Sequence, residues 1–342
     1  MVPQLWSGRP GKPPSARGIS DCMLRALQFF LFLSVFAFFT ACGGGNGTGF
    51  QLNNPGTQSG SGGSSSASIQ HVIVVVFENQ NYSDVVGSSS MPYWNSLASS
   101  ASLATKFYAD VHPSLGNYLM MTAGQDPTLG SSDPDNWSGT ISDENVASIL
   151  SGAGKTWKVY TQSLPSQGYT GGDQYPYVKH HNPFAYFTSV LNSPSQTANI
   201  VNLSQLSSDV SAGSLPNYSF VVPDDQHNGH DCPGGGSNCS LSDRLGAIDH
   251  FLKDNFDPLL TNGSLMANTV VIVTFDEANF TDLTNGGGHI PVILAGGPIK
   301  TQYQSTTLYQ FQSLLRFSLQ SLGQTNYPGL ANVASPMTEF LK

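Results

Sequence analysis

The chain has 342 residues, enough for one large domain or two small ones, and at 39% hydrophobic it can bury a sizeable core. Charged residues are only 10%, against a usual share of about a quarter. The formal charge is −9, and the absence of a basic stripe argues against a nucleic-acid binder.

The N-terminus reads as a targeting segment. Residues 1–22 carry Pro, Gly and Arg without a hydrophobic period, and Met23 reads as the true start. The apolar run Phe29 to Phe39 is too short for a comfortable membrane span and right for a signal peptide. It ends Phe39-Thr40-Ala41-Cys42-Gly43, which resembles a bacterial lipoprotein cleavage site with Phe39 in place of the usual Leu. Residues 1–42 are therefore expected to be an extension plus a lipoprotein-type signal peptide, with Cys42 lipidated. The product would be exported, periplasmic or at the cell surface, and anchored to a membrane. Loss of Arg9, Lys12, Arg17, Arg25 and Asp21 with that segment leaves 9 basic and 21 acidic residues, a net −12. Residues 43–68 are Gly, Ser, Asn, Gln and Thr in low-complexity order and read as a flexible tether. The folded catalytic domain is expected over 69–342.

Val72 to Phe77 is a continuous, mostly β-branched run, the mark of a strand buried on both faces. Glu78 and Asn79 follow at once, where open α/β sheets place their sites. Tyr93 to Ala101 reads as a helix and Ala104 to Ala109 as a short strand. Then comes His112-Pro113-Ser114-Leu115-Gly116-Asn117-Tyr118. Leu115, Tyr118, Leu119 and Thr122 recur at helical spacing, so Ser114 opens a helix running to Thr122. Unpaired N–H groups and the helix dipole favour an anion there, and Asn117 at i+3 lies on the hydroxyl's face. The plainer reading of Ser114 is a helix cap.

Residues 125–145 form a long polar loop suited to the rim of a site. A helix over Asn145 to Ala153 and a strand over Thr156 to Tyr160 follow, then the pair His180-His181 before Asn182-Pro183-Phe184. Ile200 to Asp209 reads as helical or irregular, and Tyr218 to Pro223 as a strand. That strand runs into Asp224-Asp225-Gln226-His227-Asn228-Gly229-His230-Asp231-Cys232, a cluster of the kind that binds metals or phosphate oxygens. Cys232 and Cys239 flank a short flexible loop and are expected to pair outside the cytoplasm. Leu241 to Leu260 is a clear amphipathic helix, Thr269 to Phe275 a second buried strand ending at Asp276-Glu277, Ile290 to Ala295 a strand opened by His289, and Thr306 to Leu322 a closing helix. Strand–helix alternation with carboxylates or His at four strand ends predicts a doubly wound, mostly parallel α/β sheet flanked by helices. Oxygen ligands with His favour one hard or borderline divalent ion.

Glu78-Asn79, His112-Pro113-Ser114-x-x-Asn117-Tyr118, His181-Asn182-Pro183-Phe184, His227-x-x-His230-Asp231, Phe275-Asp276-Glu277 and Gly288-His289-x-Pro291 occur in this order. Together they resemble the bacterial and fungal phosphoesterase family that contains acid phosphatases and phosphatidylcholine-type phospholipases C. The resemblance covers about residues 70–322, with Gly116 where that family usually has Pro. It implies an alkaline-phosphatase-like three-layer core and hydrolysis of a small phosphate ester through a phosphoserine on Ser114. It implies a metal held by Glu78, Asn79, Asp276, Glu277 and Ser114. His230 and His289 would serve as catalytic groups, and Asn117, His181 and His227 would hold the substrate, with His180 able to replace His181. Asp224 and Asp225 are not among the implied site residues. Two other readings stay open: a phospholipase C acting on diesters, and an inactive surface binding protein of the same fold. The modified motif of sulfatases, with nearby Pro and Arg, is absent around Ser114.

Overall fold

A computed structural model describes residues 68–342. The signal peptide, the lipidation of Cys42 and residues 43–67 of the tether lie outside the described residues. Eight strands form one sheet: β1 His71–Phe77, β2 Ser102–Tyr108, β3 Trp157–Thr161, β4 Ile200–Asn202, β5 Tyr218–Val222, β6 Thr269–Phe275, β7 His289–Ala295 and β8 Tyr303–Ser305. Their order is β4-β3-β5-β1-β6-β7-β2-β8. All neighbours are parallel except β7, which runs against both β6 and β2. The reason is the connection. Residues 276–288 carry no helix that could serve as a crossover, and parallel pairing needs one.

The continuous apolar runs occupy the centre. β1 is buried from Val72 to Phe77, and every residue of β6 is buried. Register shows how the two faces are covered. Phe77 pairs with Phe275, and its ring meets Phe251 of the Leu241–Leu260 helix at 5.7 Å. Phe220 pairs with Val74, three residues from Phe77 and so on the opposite face. There it meets Tyr118 of the Ser114–Ala123 helix at 6.1 Å. Helices thus cover both faces of one mostly parallel sheet, as the strand–helix alternation predicts.

Helix ends are tied to their neighbours. Asp249 of the Leu241–Leu260 helix accepts the Trp94 and Tyr93 N–H groups at 2.8 and 3.2 Å, satisfying the free start of the Pro92–Ser100 helix. Cys232 and Cys239 are bonded. Ser240 then opens the long helix with a capping box to Asp243.

Several segments differ from the sequence reading, and the closing helix begins at Phe311 rather than Thr306. Ile200–Asn202 is an edge strand followed by the Ser204–Ser211 helix, whereas the sequence leaves this stretch helical or irregular. Three residues are too few to show alternation. Tyr303–Ser305 adds a far-edge strand of the same length that the sequence reading lacks.

The turn leading to Ser114 is fixed by close packing. The Asp110 carbonyl would lie 1.9 Å from a side chain at Gly286, where φ is +110°, so only glycine lets these loops meet. At Gly116 an added Cβ would lie 2.5 Å from Val111. Glycine there admits Val111 against the helix.

Phe220→Ala should cost about 3–5 kcal/mol of stability, since the site is closed on both sides; urea denaturation measures this. Asp110 supplies a second test. Its carboxylate accepts the Phe311 N–H, but burial, reinforced by the charge of Asp126, pushes its pKa up to about 7. Between about pH 4 and 7 the folded chain keeps a proton that the unfolded chain releases. Stability from this group is therefore greatest at low pH and is lost as pH rises through 7, by at most about 1.4 kcal/mol per pH unit. Urea midpoints for Asp110→Asn should show a flatter pH slope across that window than the wild type.

Candidate active site

Register builds the site before any loop does. β1 and β6 are neighbours with Phe77 opposite Phe275, so Glu78 and Asp276 leave adjacent strand ends side by side. Both are fully buried, as is Glu277. The Asp276 N–H bonds the Phe77 carbonyl at 2.8 Å, and the Asn79 N–H reaches Asp276 Oδ1 at 3.1 Å. Asn79 holds φ +40°, a turn that Asn tolerates better than most residues. Its Nδ2 donates to Glu277 Oε1 at 2.6 Å.

The Ser114–Ala123 helix is pinned to these carboxylates. Ser114 Oγ donates to Glu78 Oε2 at 3.2 Å, and the Tyr118 hydroxyl donates to Glu78 Oε1. Tyr118 follows Ser114 by four residues, so both reach one carboxylate from one helix face. Asn117 faces elsewhere than the sequence suggests. Its Oδ1 accepts the Asp110 and Val111 N–H groups, and its Nδ2 donates to the Val111 carbonyl and, at 3.2 Å, to Glu277 Oε2. Both ends of the amide are therefore engaged in holding the turn before Ser114. His112 Nδ1 lies 3.1 Å from Glu277 Oε2, off the line of a hydrogen bond.

The electrostatics are those of an unneutralised acidic centre. Burial first, then the Asp276 charge, pushes Glu78 well above the usual carboxylate range. The same two causes push Glu277 up to about 8. Burial pushes Asp276 up to about 6, opposed by the Ser114 hydroxyl and the Asn79 N–H. Among the described residues no Lys or Arg pairs with them; the nearest opposing groups are imidazoles. Asp276 Oδ2 and Asn79 Oδ1 are buried without a hydrogen-bond partner. Oxygen atoms left unmet inside an acidic cluster suit a hard divalent cation.

His181 stands between this centre and a second acidic group. Its Nε2 is 3.3 Å from Glu78 Oε1 and its Nδ1 3.4 Å from Asp225 Oδ1. Burial, aided by the His180 and His230 rings, holds it well below the usual histidine value, so it is neutral. Asp225, His230 and Asp231 each offer a ligand atom, all within 4.8 Å of one another. The half-exposed His230 also bonds Asp231 Oδ1 through Nδ1 at 2.8 Å.

The remaining predicted histidines are not joined to this cluster by hydrogen bonds. His227 Nδ1 is 2.6 Å from Asp224 Oδ1, and its ring faces a separate cleft of about 830 Å³ that also contains His250 and Asp254. The His289 ring stacks between Tyr82 at 4.3 Å and Tyr108 at 4.9 Å, with Nε2 2.9 Å from the Thr105 carbonyl. The sequence reading passes over His112, Tyr118, Asp135, Asp225 and Asp231. Tyr118 had a signal, its i+4 spacing from Ser114. Asp225 and Asp231 had one too, since both lie in the Asp224–Cys232 cluster that reads as a binder of metals or phosphate oxygens.

The chain is similar to known proteins. Residues 88–320 match the Phosphoesterase family. A Kluyveromyces lactis protein named "Probable acid phosphatase" is 29% identical over 78% of this chain and 62% of its own length. A Mycobacterium tuberculosis protein named "Phosphatidylinositol-3-phosphatase" is 27% identical over 79% of this chain and 82% of its own. The chain thus spans about three fifths of the first relative. A Vibrio parahaemolyticus protein of the alkaline phosphatase superfamily shares the fold, with TM-score 0.55 at 16% identity over 75% of this chain and 67% of that one. Carboxylates on adjacent parallel strand ends, a helix opening at Ser114 and a match across most of the described residues place this chain in the Phosphoesterase family.

Proposed function

We propose that this protein hydrolyses phosphoric esters in the manner of an acid phosphatase, with Ser114 as nucleophile and one divalent ion held by Glu78, Asn79, Asp276, Glu277 and Ser114. The observation that carries the reading is the Ser114 hydroxyl at the first residue of a helix, 3.2 Å from a buried carboxylate whose neighbour Asp276 has an unmet oxygen. When bound, the ion lowers the hydroxyl pKa and offsets charge on the phosphoryl group.

The chain's own residues do the rest. Glu78 Oε2 takes the Ser114 hydrogen bond and orients Oγ, while Tyr118 fixes Glu78 from its other oxygen. Ser114 Oγ passes its proton to Glu78 Oε2, its hydrogen-bond acceptor, and forms the bond to phosphorus as the ester oxygen leaves with its electron pair. Water then cleaves the phosphoserine, releasing phosphate and restoring the hydroxyl. The buried neutral His181 can donate to a non-bridging oxygen. His230, half-exposed, is the imidazole placed to protonate a leaving group. Asn117 acts through the turn it holds. The engaged contacts of His227 and His289 support roles in positioning.

Export and attachment through a lipidated Cys42 rest on the sequence, and the Cys232–Cys239 bond supports an oxidising compartment. Phosphatases among the relatives support a phosphate ester as substrate.

Ser114→Ala should lower hydrolysis of p-nitrophenyl phosphate by about a thousandfold or more, with folding unchanged by circular dichroism. Turnover of p-nitrophenyl phosphorylcholine alone would favour the phospholipase C reading, and turnover of neither by metal-supplemented protein the binding-protein reading. Metal removal provides a further check. Dialysis against a chelator should abolish turnover and addition of a divalent ion should restore it. Metal content by mass spectrometry should fall in Asp276→Asn and persist in Asp231→Asn; the reverse would move the ion to the Asp225-His230-Asp231 group.

A further inference from the structure

The long segment after the Ser114–Ala123 helix returns to the nucleophile. It turns on itself at its start and is tied to Tyr186 towards its end. The Thr128 N–H and hydroxyl both bond Asp126 Oδ1, at 2.9 and 2.6 Å. Trp137 stacks on Tyr186 at 5.9 Å, and the Ile141 N–H bonds the Tyr186 carbonyl at 2.8 Å. Between these contacts, Asp135 Oδ1 accepts the Leu115 N–H at 3.0 Å.

That N–H has a particular place. It belongs to the second residue of a ten-residue helix, so no helical carbonyl can satisfy it. It adjoins Ser114, and the helix dipole favours negative charge there. The charge of Asp135 is felt by Glu277 on one side and by His180 on the other. Two further groups at this centre are unmet. Asp276 Oδ2 and His181 Nε2 are buried without hydrogen-bond partners. The described structure therefore surrounds the nucleophile with groups suited to a cation and a phosphoryl ligand, yet an internal carboxylate holds the anion-binding N–H.

We propose that Asp135 is a built-in competitor for the phosphate subsite and discriminates among ligands by their charge. The inference rests on the reading of Ser114 as a phosphoester nucleophile. Near neutral pH inorganic phosphate carries between one and two negative charges, a monoester closer to two and a diester one. A like charge at contact distance weakens binding in proportion to the ligand's charge, by about fivefold per unit charge even where water screens it fully. Asp135 thus penalises the dianion most. It keeps product phosphate from remaining on the helix start, and it returns to the Leu115 N–H when phosphate leaves.

Asn caps a helix as well as Asp does, so Asp135→Asn removes the charge and keeps the hydrogen-bond acceptor. The test uses the full chain with metal supplied. Calorimetric titration with inorganic phosphate is expected to show binding tighter in Asp135→Asn than in wild type by about five- to twenty-five-fold, the range for one to two charges. KM for p-nitrophenyl phosphate should fall with it, and KM for bis(p-nitrophenyl) phosphate by about the square root of that factor. Asp135→Glu, which keeps the charge, should stay near wild type in phosphate affinity. Equal or weaker phosphate binding in Asp135→Asn overturns the proposal. So does an equal change for both esters, which is what a merely structural cap would give. Calorimetry reads the Asp135 effect without turnover, so an inactive wild type would sink the phosphoesterase reading alone.

Discussion

The constraint on which the site depends is the in-register pairing of β1 with β6. Two parallel strands end level, Phe77 beside Phe275, and each is followed by a carboxylate. Strand geometry sends Glu78 and Asp276 to the face opposite Phe77 and Phe275, the face that Phe220 shares with Tyr118. Burying two such groups together is unfavourable for the charged forms of both. A slip of one residue would separate them and would exchange the side chains that meet the helices on the two faces. The packing that holds this register therefore also holds the acidic centre together.

The helix that Ser114 opens is positioned by that centre. Tyr118 reaches Glu78, Asn117 reaches Glu277, and Ser114 itself bonds Glu78. Three contacts from one helix turn to two carboxylates leave its start little freedom. Asn117 then carries the order outward, because its carbonyl holds the two N–H groups of the preceding turn. The apolar contacts beneath are continuous with this. Phe220 lies against Tyr118, and the Phe311–Ser321 helix packs along the Ser114 helix.

How much of this the sequence discloses follows from the range of each contact. Central strands are readable because a buried parallel strand must be a continuous apolar run, and β1 and β6 are such runs. Their trailing acids are readable because sheet topology brings strand ends together. The short edge strands Ile200–Asn202 and Tyr303–Ser305 are not readable, since three residues carry no period. Histidine roles resist reading for another reason. His181 and His289 sit in similar polar motifs, yet one lies against Glu78 and the other between two tyrosines. Only the path of the chain in three dimensions separates them. Asp135 meets Leu115 from twenty residues away, out of a loop in which Asp126 and Asp133 look the same in sequence.

Charge balance joins these parts. The described site holds more acid than base: Glu78, Asp276 and Glu277 at the centre, Asp225 and Asp231 beyond His181, and Asp135 over the helix start. Its buried His181 is neutral, so it supplies hydrogen bonds rather than positive charge. An anion entering such a site is drawn by the helix start and a few N–H donors alone, unless a cation reverses the balance. On the proposed reading the ion sets that reversal and Asp135 limits it. A site able to gather phosphate with six neighbouring carboxylates left unopposed would be hard to reconcile with Coulomb's law. A site that binds its substrate only when loaded, and releases phosphate against a returning carboxylate, agrees with every contact described around Ser114.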